Sequence, residues 1–217
     1  MELIDISRSL SPATAVWPGD QPVEWSWTAR IDEGHSVNLG SVQLSVHAGT
    51  HVDAPQHVRE NGATTDDFDL SAFVGPVDVV SVQEECVLPY HVEGVTAKRV
   101  LFKTEASTLS STEWPDSITP IHPDTVAALA DAGTVLVGTD APSVDPLDST
   151  DLLAHHALIK ENIVNLEGLA LREAEPGLYQ LVALPIKVRG GDAAPVRAVL
   201  LDRGTWENPS DVPDLLT

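Results

Sequence analysis

Three histidines and one aspartate lie close together in the run His47-Ala-Gly-Thr-His51-Val-Asp53-Ala-Pro-Gln-His57. Neutral imidazole nitrogens and carboxylate oxygens are ligands that zinc and related divalent metals accept. A set of two or three protein ligands leaves coordination positions open for water, which is the arrangement of a catalytic rather than a structural site. The run therefore predicts a catalytic metal site.

The spacing of His47 and His51 restricts the backbone that can bring both side chains to one ion. On a regular strand, which rises about 3.3 Å per residue, their α-carbons would lie roughly 13 Å apart. A helix is disfavoured because β-branched residues, Gly49 and Pro55 occupy the segment. We therefore expect a bend at Gly49, after which His47 and His51 face one ion and Asp53 shares the face of His51.

His57 is the remaining imidazole of the run. A histidine beside a metal site but outside its ligand shell is well suited to move protons at neutral pH. A role as a further metal ligand is nearly as consistent with its position. His57 is thus a candidate proton shuttle, with ligation as the alternative.

A second group of metal-binding residue types occurs later in the chain, at His155, His156 and Glu167. If Asp53 bridges two ions, these residues can supply the ligands of the second one. Adjacent residues on a helix point about 100° apart, so only one of His155 and His156 is expected to face the site, and the sequence leaves the choice open. For Glu167 the alternative is an exposed acid at a helix start.

Short segments rich in β-branched and aromatic residues predict the strands that position these side chains. They cover residues 3–7, 23–31, 37–47, 77–82, 134–139, 163–166, 179–188 and 196–202. Strands of this kind, alternating with helical segments, predict an α/β fold with a mixed β-sheet. We expect residues 1–217 to form a single domain, because the length suits one large hydrophobic core.

Two segments have the pattern of helices. The first, 123–132, begins with proline and is followed by Gly133. The second covers 148–159, with Asp148 or Ser149 as its N-cap, and carries the histidine pair. A helical turn is also expected near Glu167. The Pro- and Ser-rich segment 107–123 is expected to be a long surface loop of the kind that often borders a site or an oligomer contact.

The chain is strongly acidic, with 33 acidic residues, 12 basic residues and a formal net charge of −21. Such a surface repels phosphate backbones and anionic membranes, so neither nucleic acid nor membrane is an expected partner. No apolar segment reaches the roughly 20 residues of a membrane helix, and the N-terminus lacks a signal-peptide pattern. We expect a cytoplasmic protein that acts on a small molecule. The single cysteine, Cys86, excludes an internal disulfide and a thiolate-based zinc site.

The run from His47 to His57 matches the pattern HxGTHxDxPxH in every defined position, and the chain thereby resembles the metal-dependent cyclase and amidohydrolase family. The resemblance extends over nearly the whole chain. It continues through residues 138–146, 154–157, 166–169, 184–187 and 195–198. Within the family, the chain is most similar to the bacterial kynurenine formamidases, which hydrolyse N-formyl-L-kynurenine to L-kynurenine and formate in tryptophan degradation.

The resemblance implies a site with two metal ions. His47, His51 and Asp53 would hold one zinc ion. Asp53 would bridge to a second zinc ion that is held by His155 and Glu167. Manganese is the alternative to zinc, and His156 remains an alternative to His155.

The resemblance also implies the residues that act on the substrate. His57 would be the proton donor and acceptor, and Trp17 would contact the substrate with its aromatic face. The alternative for Trp17 is a core tryptophan near a Pro-Gly turn. The family fold would be of the swivelling β/β/α type, and the assembly a homodimer or homotetramer.

Other functions compete with this interpretation. A related hydrolase of the same family would open a lactam or cyclic amide such as isatin, and the metal motif does not separate the two. Substrate choice would depend on the pocket wall, where Trp17 and residues around Phe68 and Phe73 are candidates. A non-catalytic binding protein with a structural metal is disfavoured by the open coordination. A serine hydrolase is disfavoured because the chain has no Gly-x-Ser-x-Gly element.

Overall fold

The computed structural model describes residues 2–202. Within that range, strands alternate with two α-helices and several short 3-10 helices. The helices are α1 (Pro123–Asp131) and α2 (Leu153–Lys160). The strands are β1 (Glu2–Asp5), β2 (Glu24–Ala29), β3 (Leu39–Gln43), β4 (His51–Asp53), β5 (Val74–Ser81), β6 (Arg99–Lys103), β7 (Leu136–Thr139), β8 (Val164–Glu167), β9 (Gly177–Val182), β10 (Ala193–Pro195) and β11 (Val199–Asp202).

Nine of the described strands form one mixed sheet in the order β1-β11-β9-β5-β6-β7-β8-β4-β10. Strands β5 to β8 run parallel to one another, and the remaining pairings of this sheet are antiparallel. The sheet is curled, as shown by the β-bridge between Ser7, which follows β1, and Leu169, which follows β8. The predicted α/β fold with a mixed sheet is confirmed. Strands β2 and β3 form a separate hairpin.

The central strand β6 shows how the core is divided between the two faces of the sheet. Leu101 belongs to one buried cluster, whereas Val100 and Phe102 belong to another. The second cluster includes Leu129 of α1 and Leu158 of α2, so both helices cover the same face. Successive side chains of a strand point to opposite faces, and a strand that is covered on both faces is therefore apolar throughout its middle.

Helix α2 begins later than the sequence predicts. The predicted start at Asp148 or Ser149 was wrong, since α2 begins at Leu153. The carboxylate of Asp145 instead accepts hydrogen bonds from the second and third backbone N–H groups of the helix, at 2.8 and 3.0 Å. This cap lies eight residues before the helix, outside the local pattern by which N-caps are recognised.

The chain around Glu167 also differs from the prediction. No helical turn begins there, because Glu167 is the last residue of β8 and is buried. Gly168, with a φ of +65°, turns the chain after the strand. The alternative of an exposed acid at a helix start was therefore wrong, and Glu167 extends from a sheet strand instead.

Candidate active site

The segment 47–57 bends where its spacing predicted. Gly49 has a φ of +68°, in the left-handed region that favours glycine. It separates His47 from His51, which is the first residue of β4. The bend brings both imidazoles to one carboxylate oxygen, since His47 Nδ1 and His51 Nε2 lie 3.0 and 3.4 Å from Asp53 Oδ1.

The pairing of β4 with β8 places Glu167 beside this group. His51 lies opposite Glu167 in the register, and His51 Nε2 is 3.5 Å from Glu167 Oε2. The turns that flank the two strands touch, because Thr50 Oγ1 donates a 2.6 Å hydrogen bond to Gly168 O. A Cβ at position 168 would collide with the carbonyl of Gly49. Glycine at 168 is therefore what allows the two ligand-bearing segments to approach.

Helix α2 places His155 in the cluster and His156 outside it. His155 is buried, and its Nε2 lies 3.4 Å from Asp53 Oδ2 and 3.3 Å from Glu167 Oε1. His156 is exposed. Asp145 Oδ2 lies 2.7 Å from His155 Nδ1, which holds the imidazole with its Nε2 toward the carboxylates.

Asn165 joins the two carboxylates of the cluster and is a site residue that the sequence motifs do not include. Its Nδ2 donates to Asp53 Oδ2 at 2.9 Å and to Glu167 Oε1 at 2.8 Å. Asn165 precedes Glu167 by two residues in β8, so both side chains share one face of the strand. The two-residue spacing between Asn165 and Glu167 is the sequence feature that could have identified Asn165 as a site residue. Asn165 fixes the orientation of both acids without adding charge.

The polar atoms of the cluster fit a divalent metal. Asp53 Oδ1 is buried and accepts no hydrogen bond, although two imidazole nitrogens lie within 3.4 Å. The contacts between histidine and acid groups that involve Asp53 or Glu167 are 3.0 to 3.5 Å long. Tetrahedral zinc with nitrogen and oxygen ligands at 2.0–2.1 Å has neighbouring ligand atoms roughly 3.3–3.4 Å apart.

Three sets of side chains among the described residues offer ligand atoms close enough together to hold an ion. They are His47, His51 and Asp53; Asp53, His57 and His155; and His47, His57 and Asp192. The first set is the one predicted from the run of histidines. The second keeps ligation by His57 as an alternative to proton transfer.

Electrostatics in the cluster favour positive charge. Burial alone lowers the pKa of the imidazoles, but their close contacts with acids outweigh this effect. They raise the pKa of His47 to about 9, chiefly through Asp53, and that of His155 to about 12, chiefly through Asp145. Burial raises the pKa of Asp53, yet the surrounding imidazoles hold it well below its usual value. Without a cation, the cluster therefore retains protons that a divalent metal would replace.

His57 lies at the edge of the cluster and is in a different electrostatic environment. Its ring centroid is 4.2 Å from that of His47 and 5.9 Å from that of His155. Burial lowers the pKa of His57, and the neighbouring histidines add to this effect, whereas nearby acids oppose it. A lowered pKa leaves this imidazole neutral at pH 7, which is the form that accepts a proton.

A cavity of about 400 Å³ opens onto the cluster and has an aromatic wall. Trp17 and Trp114 line it in edge-to-face contact, with ring centroids 5.4 Å apart. Trp17 is 42% exposed, so the alternative of a core tryptophan was wrong. The segment 107–123 contributes Trp114 and its neighbours, which confirms that this loop borders the site. The cluster residues that line the cavity are His47, His51, His57, His155 and Glu167.

The two phenylalanines proposed for the pocket wall have different surroundings. Phe73 is fully buried in the hydrophobic core. Phe68 lines a second cavity of about 620 Å³, which reaches Asp53, His57 and His155 but contains neither tryptophan. Phe73 therefore packs in the core and does not contact substrate, whereas Phe68 remains a candidate for the pocket wall.

The chain is similar to known proteins over most of its length. Residues 4–146 match the family model described as “Putative cyclase”. A kynurenine formamidase from Salinibacter ruber is 64% identical over 208 residues, which cover 93% of this chain and 98% of that protein. The chain belongs to the cyclase family. The resemblance carried by the run from His47 to His57 is confirmed, and within the family the chain groups with the kynurenine formamidases.

Solved structures of similar proteins have the same cyclase-family fold. A “predicted metal-dependent hydrolase from Bacillus stearothermophilus” is 26% identical, with a TM-score of 0.79 over 93% of this chain and 98% of that one. Isatin hydrolase A from Labrenzia aggregata is 22% identical, with a TM-score of 0.78 over 92% of this chain and 93% of that one. At that identity the likeness concerns the fold alone. None of the described helices is long and apolar enough to cross a membrane.

Proposed function

We propose that this cyclase-family protein is a kynurenine formamidase, which hydrolyses N-formyl-L-kynurenine to L-kynurenine and formate. The similarity to the Salinibacter ruber protein over nearly the full length of both chains carries the proposal. The site supports it, because a cluster of metal-binding side chains and an aromatic wall share one cavity. The reaction adds water to the formyl carbon and breaks the bond between that carbon and the aryl nitrogen.

We assign the metal ligands as follows. His47, His51 and Asp53 hold one zinc ion, and Asp53 together with His155 and Glu167 holds a second. Asp53 Oδ1 is buried without a hydrogen-bond partner, and the histidine nitrogens lie 3.0 to 3.5 Å from the oxygens of Asp53 and Glu167. Both observations support this set. Bound zinc supplies Lewis acidity, which lowers the pKa of water and polarises a carbonyl oxygen; manganese can supply the same chemistry.

We assign proton transfer to His57. It is neutral at pH 7 because burial lowers its pKa, so it can take a proton from the attacking water. It then returns this proton to the aryl nitrogen as the C–N bond breaks, and the amine leaves in neutral form. His57 lines the cavity, and its side chain is more exposed than those of His47, His51 and His155, which supports contact with the reacting groups.

We assign Trp17 to substrate binding. Its exposed ring lines the same cavity as His57, and Trp114 supports it edge-to-face. An indole face can stack on the aromatic ring next to the scissile amide, and such ring contacts contribute about 0.5–1.5 kcal/mol. Stacking would hold the formyl group over the metal cluster.

We further propose that the protein acts in the cytoplasm, with residues 1–217 as one catalytic domain, and assembles as a homodimer or homotetramer. The hairpin of β2 and β3 supports assembly through its exposed apolar side chains. Trp25, Trp27 and Val42 are each about half exposed, and the strand register places them on one face of the hairpin. Contiguous apolar surface of this kind is typical of protein interfaces.

A comparison of substrates tests the proposed activity. We expect the purified, zinc-loaded protein to hydrolyse N-formyl-L-kynurenine with a kcat/KM far above that for isatin, when both are followed by absorbance. Preferred turnover of isatin by folded, metal-loaded protein would contradict the formamidase assignment and leave the metal site in place.

A further inference from the structure

The backbone of Asp192 is fixed next to the ligand-bearing strand. Asp192 directly precedes β10, which pairs with β4 so that Ala193 lies opposite Asp53. The Asp192 carbonyl accepts a 2.8 Å hydrogen bond from Ala54 N, and the carbonyl of Gly191 accepts one of 2.9 Å from Thr65 N. These contacts hold Asp192 from both sides. Its carboxylate is thereby aimed at the imidazoles of the 47–57 segment.

One oxygen of Asp192 meets two histidines. Asp192 Oδ2 lies 3.1 Å from His47 Nε2, within hydrogen-bond distance, and 3.6 Å from His57 Nδ1. The second separation is too long for a hydrogen bond but short enough for a direct electrostatic contact. Asp192 therefore links a proposed metal ligand with the proposed proton shuttle.

The contact with His47 completes a pattern that all three proposed ligand histidines share. His155 places Nε2 in the cluster and Nδ1 on Asp145, and His51 places Nε2 in the cluster and Nδ1 on a backbone carbonyl. His47 is turned the other way, with Nδ1 in the cluster and Nε2 on Asp192. In each ring, one nitrogen faces the acids of the cluster and the other faces an acceptor outside them.

This pattern has a chemical consequence. An acceptor on the outer nitrogen holds the ring proton there and leaves the lone pair on the inner nitrogen, which is the form that binds a metal. A carboxylate acceptor also raises the basicity of the ligand. For His47 that acceptor is Asp192, which no motif in the 47–57 run includes.

We propose that Asp192 is a positioning residue of the active site. It holds the His47 proton on Nε2, so that Nδ1 is free to bind metal beside Asp53 Oδ1. The same carboxylate oxygen lies 3.6 Å from His57 Nδ1, so Asp192 also fixes the position of His47 relative to His57. The inference rests on the proposed metal site and extends it by one residue, which directly precedes strand β10.

Zinc affinity tests the proposal without substrate. The variants are Asp192→Ala, Asp192→Asn and, as a matched control, Asp131→Ala, which removes an exposed acid at the end of α1. Zinc is titrated into metal-free protein against a chromogenic chelator. We expect Asp192→Ala to bind zinc about 10–100-fold more weakly than wild type, and the control to be unchanged.

The conservative variant separates a positioning role from a general loss of structure. The amide oxygen of Asp192→Asn can still accept a hydrogen bond from His47 Nε2, so we expect this variant to recover most of the zinc affinity that Asp192→Ala loses. Wild-type zinc affinity in folded Asp192→Ala would overturn the proposal, as would equal weakening in both variants. If the wild type binds zinc but does not hydrolyse N-formyl-L-kynurenine, the proposed function fails, and the affinity comparison still decides the role of Asp192.

Discussion

Asp145 caps the helix that carries His155 and also orients the His155 ring. Its carboxylate accepts hydrogen bonds from two backbone N–H groups at the start of α2 and lies 2.7 Å from His155 Nδ1. Folding of the helix and placement of the histidine therefore depend on one side chain. Helix and ligand position are coupled, so they should be lost together.

We predict that Asp145→Ala lowers both stability and metal content. The lost cap should lower the free energy of unfolding by about 1–2 kcal/mol. The freed imidazole of His155 should reduce bound zinc from two ions toward one per chain. Urea unfolding and metal analysis measure the two effects. Asp148→Ala is the matched control, because Asp148 is an exposed acid that the sequence favoured as a cap and the structure does not use. Equal effects of both substitutions would contradict the account.

We predict that His57→Ala retains zinc and loses turnover. Loss of a general acid and base reduces rates typically by about 10²–10⁴-fold, whereas the ligand set assigned to the metal is left intact. Metal analysis measures the zinc content and steady-state kinetics measure turnover, with His35→Ala as an exposed-histidine control. A near wild-type rate would exclude the proton-shuttle role. Loss of zinc would instead support the alternative in which His57 is a ligand.

The pH dependence of turnover should follow from the state of His57. Burial lowers its pKa below 6.5, so the neutral imidazole that accepts a proton persists to pH values below that of an ordinary histidine. We predict that kcat/KM is level at neutral pH and falls only below pH 6.5, as His57 becomes protonated. Measuring kcat/KM against pH, on protein shown to retain its zinc, tests this decrease. An acidic limb above pH 7 would contradict the assignment.

We predict that the β2–β3 hairpin mediates assembly. Trp25 and Trp27 lie on the same face of the hairpin, in contact with each other and exposed. Replacing both by serine should shift the protein to a smaller species in light scattering, while far-UV circular dichroism is unchanged. Thr28→Ala, on the opposite face, is the control. A wild-type protein that is monomeric at all concentrations would refute the prediction.

The sequence predicted the structure correctly where the spacing of the metal-binding residues itself restricts the backbone. The bend at Gly49 followed from the spacing of His47 and His51, because neither a regular strand nor a helix brings them to one ion. The α/β class followed from the alternation of strand and helix patterns. The choice between His155 and His156 required the structure, because it depends on the rotation of α2 about its axis.

Contacts between residues that are distant in the chain could not be predicted from the sequence. Asp145 acts as a cap from eight residues before α2, and Asp192 reaches the histidines only because β10 pairs with β4. Strand β10 has only three residues, Ala-Ala-Pro, and no β-branched side chain to mark it. Strand β6 was missed because basic residues bound its three-residue apolar middle.

A single assay can test whether the protein hydrolyses N-formyl-L-kynurenine in a metal-dependent reaction. Purified protein is assayed by the absorbance of kynurenine as prepared, after chelation, and after zinc is restored. We expect fast turnover that chelation abolishes and that added zinc restores. Negligible turnover by folded, zinc-loaded protein, or turnover that survives complete metal removal, would contradict this expectation.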